Sequence, residues 1–283
     1  MPLWTPGSRY VYSIDNYGAN PSVAPGLLVT PGASDGEGAW AASTFGVLAT
    51  ELHWLFLRVS DRNTATAAKR HVLDIGVDPA GGTSYAAVIS NIVCGTAAAL
   101  AAGGAPGHEF LFPIRIQSGA TVGVRIQGSN ATAGSVRVCL GARGRPAMPW
   151  LTPVGMYAET LGVTGSSGTS ITPGNGADGA WASLGTTTRD LWWWQLAYQI
   201  DNGTITAEYT YIELAYGDAS NKNSILRRMH GGNTSEGIGT PLNENLLSCY
   251  AYCPVPAGST MYARGRCNNA PDTGYQAAAI GIG

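Results

Sequence analysis

The chain has 283 residues, of which only 12% are charged and 45% are hydrophobic, and it contains 39 glycines and 16 prolines. This composition excludes intrinsic disorder, which needs low hydrophobicity and high net charge, and it argues against coiled coils and long helices, which contain few helix breakers. The formal net charge of −2 supplies no basic field for phosphates, so we expect no nucleic-acid partner. A surface with so few charges dissolves poorly as a free monomer, so we expect other protein chains to cover part of it.

Signals for targeting, membrane insertion and metal binding are missing from the sequence. Residues 1–7 lack the charged and apolar regions of a signal peptide, and the longest weakly apolar run, residues 92–104, is too short to span a bilayer. The five cysteines form no CxxC pair, and no histidines stand at zinc-finger spacing. We therefore predict no targeting segment, no membrane partner, no metal and no cofactor.

Strand-like segments follow one another along the first half of the chain. Residues 53–59 form an unbroken aromatic and aliphatic run, which is typical of a strand. Residues 110–116 and 121–127 flank the sequence Gln117-Ser118-Gly119-Ala120, which predicts a β-hairpin. Three prolines in residues 144–153 then predict a short and stiff linker.

The second half shows the same signals. Residues 204–212 alternate between polar and apolar side chains, as in a strand with one buried face, and residues 254–259 predict a second hairpin turn. We count about eight short strands in each half and find no segment with a helical period. The sequence therefore predicts an all-β protein.

The two halves repeat one sequence. Five features of the first half return in the same order in the second: VTPG (29–32) as ITPG (171–174), GAWA (38–41) as GAWA (179–182), ELHW (51–54) as DLWW (190–193), VLDIGV (72–77) as YIELAY (211–216), and Arg125 as Arg264. A unit of roughly 140 residues can bury its own core, unlike the repeats of about 20 to 50 residues in solenoids and propellers. We therefore predict two tandem antiparallel β-sandwich (jelly-roll-like) domains, residues 1–146 and 147–283, that arose by internal duplication.

One serine lies in a pattern found in hydrolases. Gly32-Ala33-Ser34-Asp35-Gly36 matches GxSxG, in which the serine nucleophile follows a strand and precedes a helix. Here a glycine-rich loop and the strand-like GAWA follow, and the second copy has no serine at this position. We interpret the segment as a turn.

Acidic residues and histidines give no catalytic or metal-binding pattern. Asp35, Glu37 and Asp178 carry oxygen ligands for calcium but lack the spacing of an EF-hand loop, so we interpret them as solvated turn residues. Three histidines have a carboxylate nearby in the sequence: His53 with Glu51, His71 with Asp74, and His108 with Glu109. Such neighbours are common by chance, and we predict no catalytic residues.

The most aromatic stretch is LWWWQL, residues 191–196. In a strand, Trp192 and Trp194 share one face, whereas Trp193, which aligns with Trp54, takes the other face and belongs to the core. If exposed, Trp192 and Trp194 could stack on a sugar ring. We favour the alternative, in which they pack in a protein interface or in the domain itself.

Two cysteines are candidates for a disulfide. A hairpin turning near Ala257 would bring Cys249 opposite Cys267, whereas Cys249 and Cys253 lie too far apart along one strand to bond each other. Strand register cannot be fixed from the sequence, so a Cys249–Cys267 disulfide and buried free thiols both stay open.

Short motifs of the repeat unit resemble a protein family. Gly38-Ala39-Trp40-Ala41, Leu73-Asp74-Ile75-Gly76, and Phe112-Pro113-Ile114-Arg115-Ile116 with Ser118-Gly119 resemble a family of tailed-bacteriophage virion proteins, which carries a GAW strand, a VDIG strand and an FPLRIPAG hairpin in this order. The resemblance covers both copies, with more departures in the second. The motifs mark strands and turns, so the resemblance implies a structural component of a phage particle without assigning any functional residue.

We therefore expect a non-enzymatic virion protein that binds copies of itself and other virion proteins. It would decorate or cement the capsid, or form part of a collar, fibre or baseplate, and would bury Trp, Tyr and aliphatic surface at symmetric interfaces. The alternatives are a glycan-binding host-recognition adhesin that uses Trp192 or Trp194, and a hydrolase that uses Ser34.

Overall fold

The computed structural model of the chain describes residues 11–12, 26–65, 69–96, 106–129, 134–144, 155–200, 210–230, 250–268 and 275–283. The residues in these ranges form strands and turns and contain no helix, so none of them crosses a membrane as an apolar helix. Most of the predicted linker and the first part of the predicted strand 204–212 lie outside these ranges.

Twenty strands lie in the described ranges. Those of the first half are β1 (Val11–Tyr12), β2 (Leu27–Val29), β3 (Ala41–Ala42), β4 (Leu52–Asn63), β5 (Lys69–Asp78), β6 (Ala86–Thr96), β7 (Pro106–Phe112), β8 (Thr121–Gly128) and β9 (Val136–Gly144). Those of the second half are β10 (Ala158–Leu161), β11 (Val163–Thr164), β12 (Ser167–Ile171), β13 (Gly174–Asn175), β14 (Ala182–Thr186), β15 (Leu191–Ile200), β16 (Thr210–Gly217), β17 (Lys222–His230), β18 (Tyr250–Val255), β19 (Thr260–Cys267) and β20 (Tyr275–Ile282).

The strand order is the same in both halves. In the first, a sheet ordered β2–β9–β4–β7 faces a sheet ordered β3–β8–β5–β6, and in the second a sheet ordered β12–β20–β15–β18 faces one ordered β14–β19–β16–β17. The pairs in these orders are antiparallel. This order is that of a jelly roll. The prediction of two tandem antiparallel β-sandwiches from an internal duplication is confirmed.

The predicted hairpins are wrong in both copies. β7 and β8 belong to opposite sheets of the first sandwich, as β18 and β19 do in the second, so the turns at residues 117–120 and 256–259 cross from one sheet to the other. Two apolar runs around a short glycine-containing turn have the same sequence pattern in both arrangements. Whether consecutive strands pair or face each other depends on contacts distant in sequence.

The two sandwiches pack on each other through β6 of the first and the larger sheet of the second. β6 contacts β10, β15 and β20. Ala197, Ala278 and Ile280 of that sheet lie in the apolar cluster of the first sandwich, while their neighbours along the strands lie in the second core. The central strands β15 and β20 of this sheet are therefore buried on both faces, apart from the half-buried Trp192.

Polar contacts also join the two sandwiches. The Thr160 hydroxyl donates to the carbonyl oxygen of Ser90 at 2.5 Å, and Arg70 donates to the Ser167 hydroxyl at 2.7 Å. The predicted domain boundary, between residues 146 and 147, falls between β9 and β10 but outside the described residues, so it stays a prediction.

Candidate functional site

An arginine lies at the centre of a polar cluster on the outer face of the first sandwich. Arg125 on β8 lies opposite Asp74 on β5, and its Nε donates to Asp74 Oδ2 at 2.9 Å. Its Nη2 donates to Glu37 Oε1 at 2.6 Å, and its guanidinium carbon lies 4.5 Å from the centre of the Trp40 ring. The backbone N–H of Asn91 donates to Asp74 Oδ1 at 2.8 Å. We name Glu37, Trp40, Asp74 and Arg125 the first outer-face cluster.

The second sandwich has an equivalent cluster. Arg264 on β19 lies opposite Glu213 on β16, and its Nε donates to Glu213 Oε2 at 2.8 Å. Its Nη2 lies 2.7 Å from Asp178 Oδ2, and its guanidinium carbon lies 4.3 Å from the centre of the Trp181 ring. Arg227 on β17 is an additional member, whose Nη2 donates to Glu213 Oε2 at 2.8 Å. We name Asp178, Trp181, Glu213, Arg227 and Arg264 the second outer-face cluster.

Strand alternation places these charges on the outer faces. Leu73 and Ile75 are fully buried in the core, so Asp74 between them points to the other side of the sheet. Glu213 has the same setting on β16, between two fully buried apolar residues. The repeated sequence therefore fixes a core and, on the opposite side, a repeated row of charge.

The glycine of each GAW motif is required by a close approach of backbone. A Cβ on Gly38 would overlap the carbonyl oxygen of Thr30, and a Cβ on Gly179 would overlap that of Thr172. In both copies the glycine N–H also donates to the neighbouring strand, to Ile126 in the first and Gly265 in the second. This close approach holds the threonine of the Thr-Pro-Gly loop against the first residue of the GAW motif.

The charges of the clusters are held in fixed pairs. The side chains of Asp74 and Glu213 are each only 9% exposed. Burial alone would raise the pKa of Glu213, but hydrogen bonds from Arg227, Ser224 and Arg264 outweigh it, and the pKa lies below its ordinary value. The hydrogen bond to Glu213 in turn raises the pKa of Arg227. Each cluster thus presents a fixed arrangement of ionised groups and an aromatic ring, which suits contact with another surface.

The segment around Ser34 is a turn. The N–H of Gly32 donates to the carbonyl of Gly36 at 3.2 Å, and that of Gly36 donates to the carbonyl of Ala33 at 2.6 Å. The exposed Ser34 hydroxyl donates to the carbonyl oxygen of Ser129 at 3.3 Å. Since no helix follows among the described residues, the strand–turn–helix setting of a serine nucleophile is missing.

The three carboxylates considered for calcium bind protein groups. Asp35 accepts the backbone N–H of Ser166 at 3.0 Å and so ties the first sandwich to the second, whereas Glu37 and Asp178 pair with arginines of the clusters. In the part of the chain that the structure describes, no group of three or more His, Cys, Asp or Glu side chains is placed to hold a metal ion.

One of the three histidine–carboxylate neighbours forms a pair. His53 Nε2 lies 2.7 Å from Glu51 Oε1, and hydrogen bonds from Arg115 and then His53 hold the pKa of Glu51 below its ordinary value. His71 and His108 are buried, and each lies within hydrogen-bond distance of a backbone carbonyl.

The prediction that Trp192 and Trp194 share one face is wrong. The pairing of β15 with β18 shifts register between Leu191 and Trp193. With this irregularity, Leu191 and Trp194, three residues apart, both lie in the second core. Trp194 is fully buried and its Nε1 donates to the Cys253 carbonyl at 3.1 Å, so it presents no ring to a sugar. Trp192 is half-buried and packs against the cluster of the first sandwich.

The hairpin that would bring Cys249 opposite Cys267 does not form. Cys249 lies outside the described residues, and the two strands of the expected hairpin are in different sheets. A Cys249–Cys267 disulfide and buried free thiols therefore both stay open. Burial raises the pKa of the Cys94 thiol to about 12, which marks a structural residue of the core rather than a nucleophile.

The alignment of the two copies pairs Arg125 with Arg264 and Asp74 with Glu213, but it does not show that the arginine and the carboxylate of one copy are in contact. The signal that could have shown this is that these charged residues and the GAW tryptophan recur at outward-facing positions in both copies. Any duplicated sandwich must keep its apolar core, but nothing in the core requires charge and tryptophan to recur at outward positions.

The chain is similar to several solved structures at low sequence identity. No protein-family model and no curated protein matches the sequence. Among solved structures, PNGF-II is 9% identical with a TM-score of 0.39 over 96% of this chain, which spans 65% of the PNGF-II chain. PNGase F, a glycosylasparaginase from Flavobacterium meningosepticum, is 10% identical with a TM-score of 0.32, covering 92% of this chain and 93% of its own. The CBM22-1-CBM22-2 tandem domain of Paenibacillus barcinonensis Xyn10C is 12% identical with a TM-score of 0.24, covering 93% and 98%.

These neighbours correct one expectation. The prediction that the chain is not an enzyme is contradicted, because PNGase F is an enzyme and is among the solved structures that the chain matches. At these identities and TM-scores the likeness concerns the all-β fold and transfers no activity to this chain.

Proposed function

We propose that this chain is a structural component of a tailed-phage particle, which assembles with copies of itself and with other virion proteins. The observation that carries the proposal is the placement of the motifs that resemble phage virion proteins. The GAW tryptophans and the acidic residue of each LDIG-like strand form the two outer-face clusters, in both copies. The motifs thus build surfaces on a rigid tandem scaffold.

A second motif supports the same role. In Phe112-Pro113-Ile114-Arg115-Ile116, the N–H of Arg115 donates to the Gly155 carbonyl at 2.9 Å, and the N–H of Gly155 donates to the Pro113 carbonyl at 2.8 Å. This motif therefore joins the first sandwich to the start of the second. A fixed relative orientation of two sandwiches is what a repeated building block of a particle requires.

The low charge of the chain fits burial of its surface in an assembly. Large apolar side chains remain exposed in the isolated chain, among them Val47 at 58%, Met156 at 73% and Tyr252 at 50%. Covering such groups with neighbouring chains contributes free energy of association in proportion to the apolar area removed from water. The glycan-binding alternative lacks comparable support, because Trp194 is buried and Trp192 is half-buried.

The test is the composition of purified particles. Phage particles are isolated on a density gradient from cells that carry the sequence, their proteins are identified by mass spectrometry, and an antibody to the chain is located by gold labelling in electron micrographs. We expect the chain in the particle fraction, with gold at one repeated position. Particles that are complete and lack the chain would overturn the proposal, and binding of the purified chain to a glycan array would favour the adhesin alternative instead.

A further inference from the structure

The two outer-face clusters share one geometry but differ in charge. In the first cluster the carboxylates of Glu37 and Asp74 outnumber the single guanidinium of Arg125. In the second cluster Arg227 donates to Glu213 from the neighbouring strand β17. In the first sandwich the neighbouring strand β6 offers Asp74 the backbone N–H of Asn91, and β6 contains no arginine that could pair with this carboxylate. The duplication has therefore produced two related surfaces of different charge.

A further arginine extends the second cluster. Arg266 on β19 lies opposite Tyr211 on β16, and the equivalent position of the first sandwich is the uncharged Gln127. Arg266 is exposed, and it forms no ion pair with any residue that the structure describes. We name the second outer-face cluster together with Tyr211 and Arg266 the basic face.

The basic face has the composition of a protein interface. The Arg227 side chain is 41% exposed and Tyr211 is 39% exposed, with Trp181 beside them half-buried under Arg264. Arginine, tyrosine and tryptophan are the residues most enriched where proteins bind each other. The whole chain has only 16 lysines and arginines, and three of these arginines lie together on this one sheet face, which distinguishes it from the rest of the surface.

We propose that the basic face of one copy binds the first outer-face cluster of another copy. The inference rests on the assembly role proposed above and names the two surfaces that meet. Excess guanidinium on one surface faces excess carboxylate on the other, with Glu37, whose side chain is 49% exposed, as the most accessible acidic group. Because the two surfaces differ, the contact is heterologous, and successive copies join head to tail into a ring or a filament.

Complementary charge reversal in two separate chains tests the contact. One chain carries Glu37→Lys, which makes both of its surfaces basic, and the other carries Arg227→Glu with Arg266→Glu, which makes both acidic. Sedimentation velocity of the full chain should show self-association that weakens with salt. Each variant alone should self-associate at least about tenfold more weakly than the unaltered chain. Mixing the two variants should restore association, because each then meets its opposite charge. Arg189→Glu, an exposed reversal outside both surfaces, is the control and should associate as the unaltered chain does.

The outcomes separate this inference from the proposed function. Variants that remain monomeric when mixed, although thermal unfolding shows them folded, would overturn the inference. So would binding of an oligothymidine probe to the basic face in competition with self-association, because that assigns the face to nucleic acid. A monomeric chain that is nevertheless built into particles overturns the inference and leaves the proposed function standing. If mixing the variants restores association but purified particles lack the chain, the inference stands and the proposed function is overturned.

Discussion

Trp54 and Trp193 are equivalent residues of the two sandwiches, and their rings meet edge to face at the junction with centroids 6.3 Å apart. Both side chains are buried, and the Trp193 ring also contacts Tyr252 at 5.1 Å. Trp193 lies in the apolar cluster of the first sandwich although it belongs to a strand of the second. The duplication therefore supplied both halves of a contact that now joins the domains, where the sequence had predicted a core residue within each.

Replacement of Trp193 with alanine should destabilise the whole chain. The ring fills space between two sandwiches, so we expect a loss of about 3 kcal/mol in the free energy of unfolding, measured by urea denaturation. Met156→Ala is a matched control, because the side chain is 73% exposed, and it should change stability by less than about 0.5 kcal/mol. Equal effects of the two substitutions would contradict the packing described.

The central arginines of the two clusters should differ in their effect on stability. Arg125→Met removes the only guanidinium that pairs with Asp74 among the described residues, and this carboxylate is 9% exposed. Arg264→Met leaves Glu213 paired with Arg227. Because a buried charge without its partner is costly, and both sites keep some contact with solvent, we expect losses of about 2 kcal/mol for Arg125→Met and about 1 kcal/mol for Arg264→Met. Chemical denaturation of the two variants side by side checks the order.

How far the sequence predicts this structure depends on the range of the contacts. The duplication, the all-β class and the sandwich architecture follow from repeated motifs and alternation, which are local. The side of the sheet on which Trp194 lies did not follow, because a register shift between Leu191 and Trp193 breaks strict alternation. The outer-face clusters could not be predicted, because Asp74 on β5 and Arg125 on β8 become neighbours only when the sheet is assembled.

Stability should fall in acid partly because of Glu213. The pKa of this carboxyl lies below its ordinary value in the folded chain, so the unfolded chain takes up the proton first as the pH falls. Its contribution is therefore complete above the ordinary glutamate range and is lost as the pH drops through the lowered folded value. Glu213→Gln should be less stable than the unaltered chain at neutral pH, and its stability should fall less steeply in acid. Urea denaturation at a series of pH values measures both slopes, and parallel slopes would show that Glu213 does not contribute to the acid dependence.

Gln195 offers a substitution that should raise stability. Its side chain is 3% exposed, and neither its amide nitrogen nor its amide oxygen has a hydrogen-bond partner among the residues that the structure describes. It lies on β15 at the position equivalent to Phe56, on the sheet face that carries Trp193 and Ala197 toward the first sandwich. Burying an amide without hydrogen bonds costs free energy, so Gln195→Met, which keeps the length of the side chain, should stabilise the chain by about 1 kcal/mol. Gln117→Met on the exposed turn after β7 is the control and should be neutral within about 0.5 kcal/mol. A destabilised Gln195→Met variant would mean that the amide does bind a partner in solution, such as a buried water molecule, and that this partner holds the two sandwiches together.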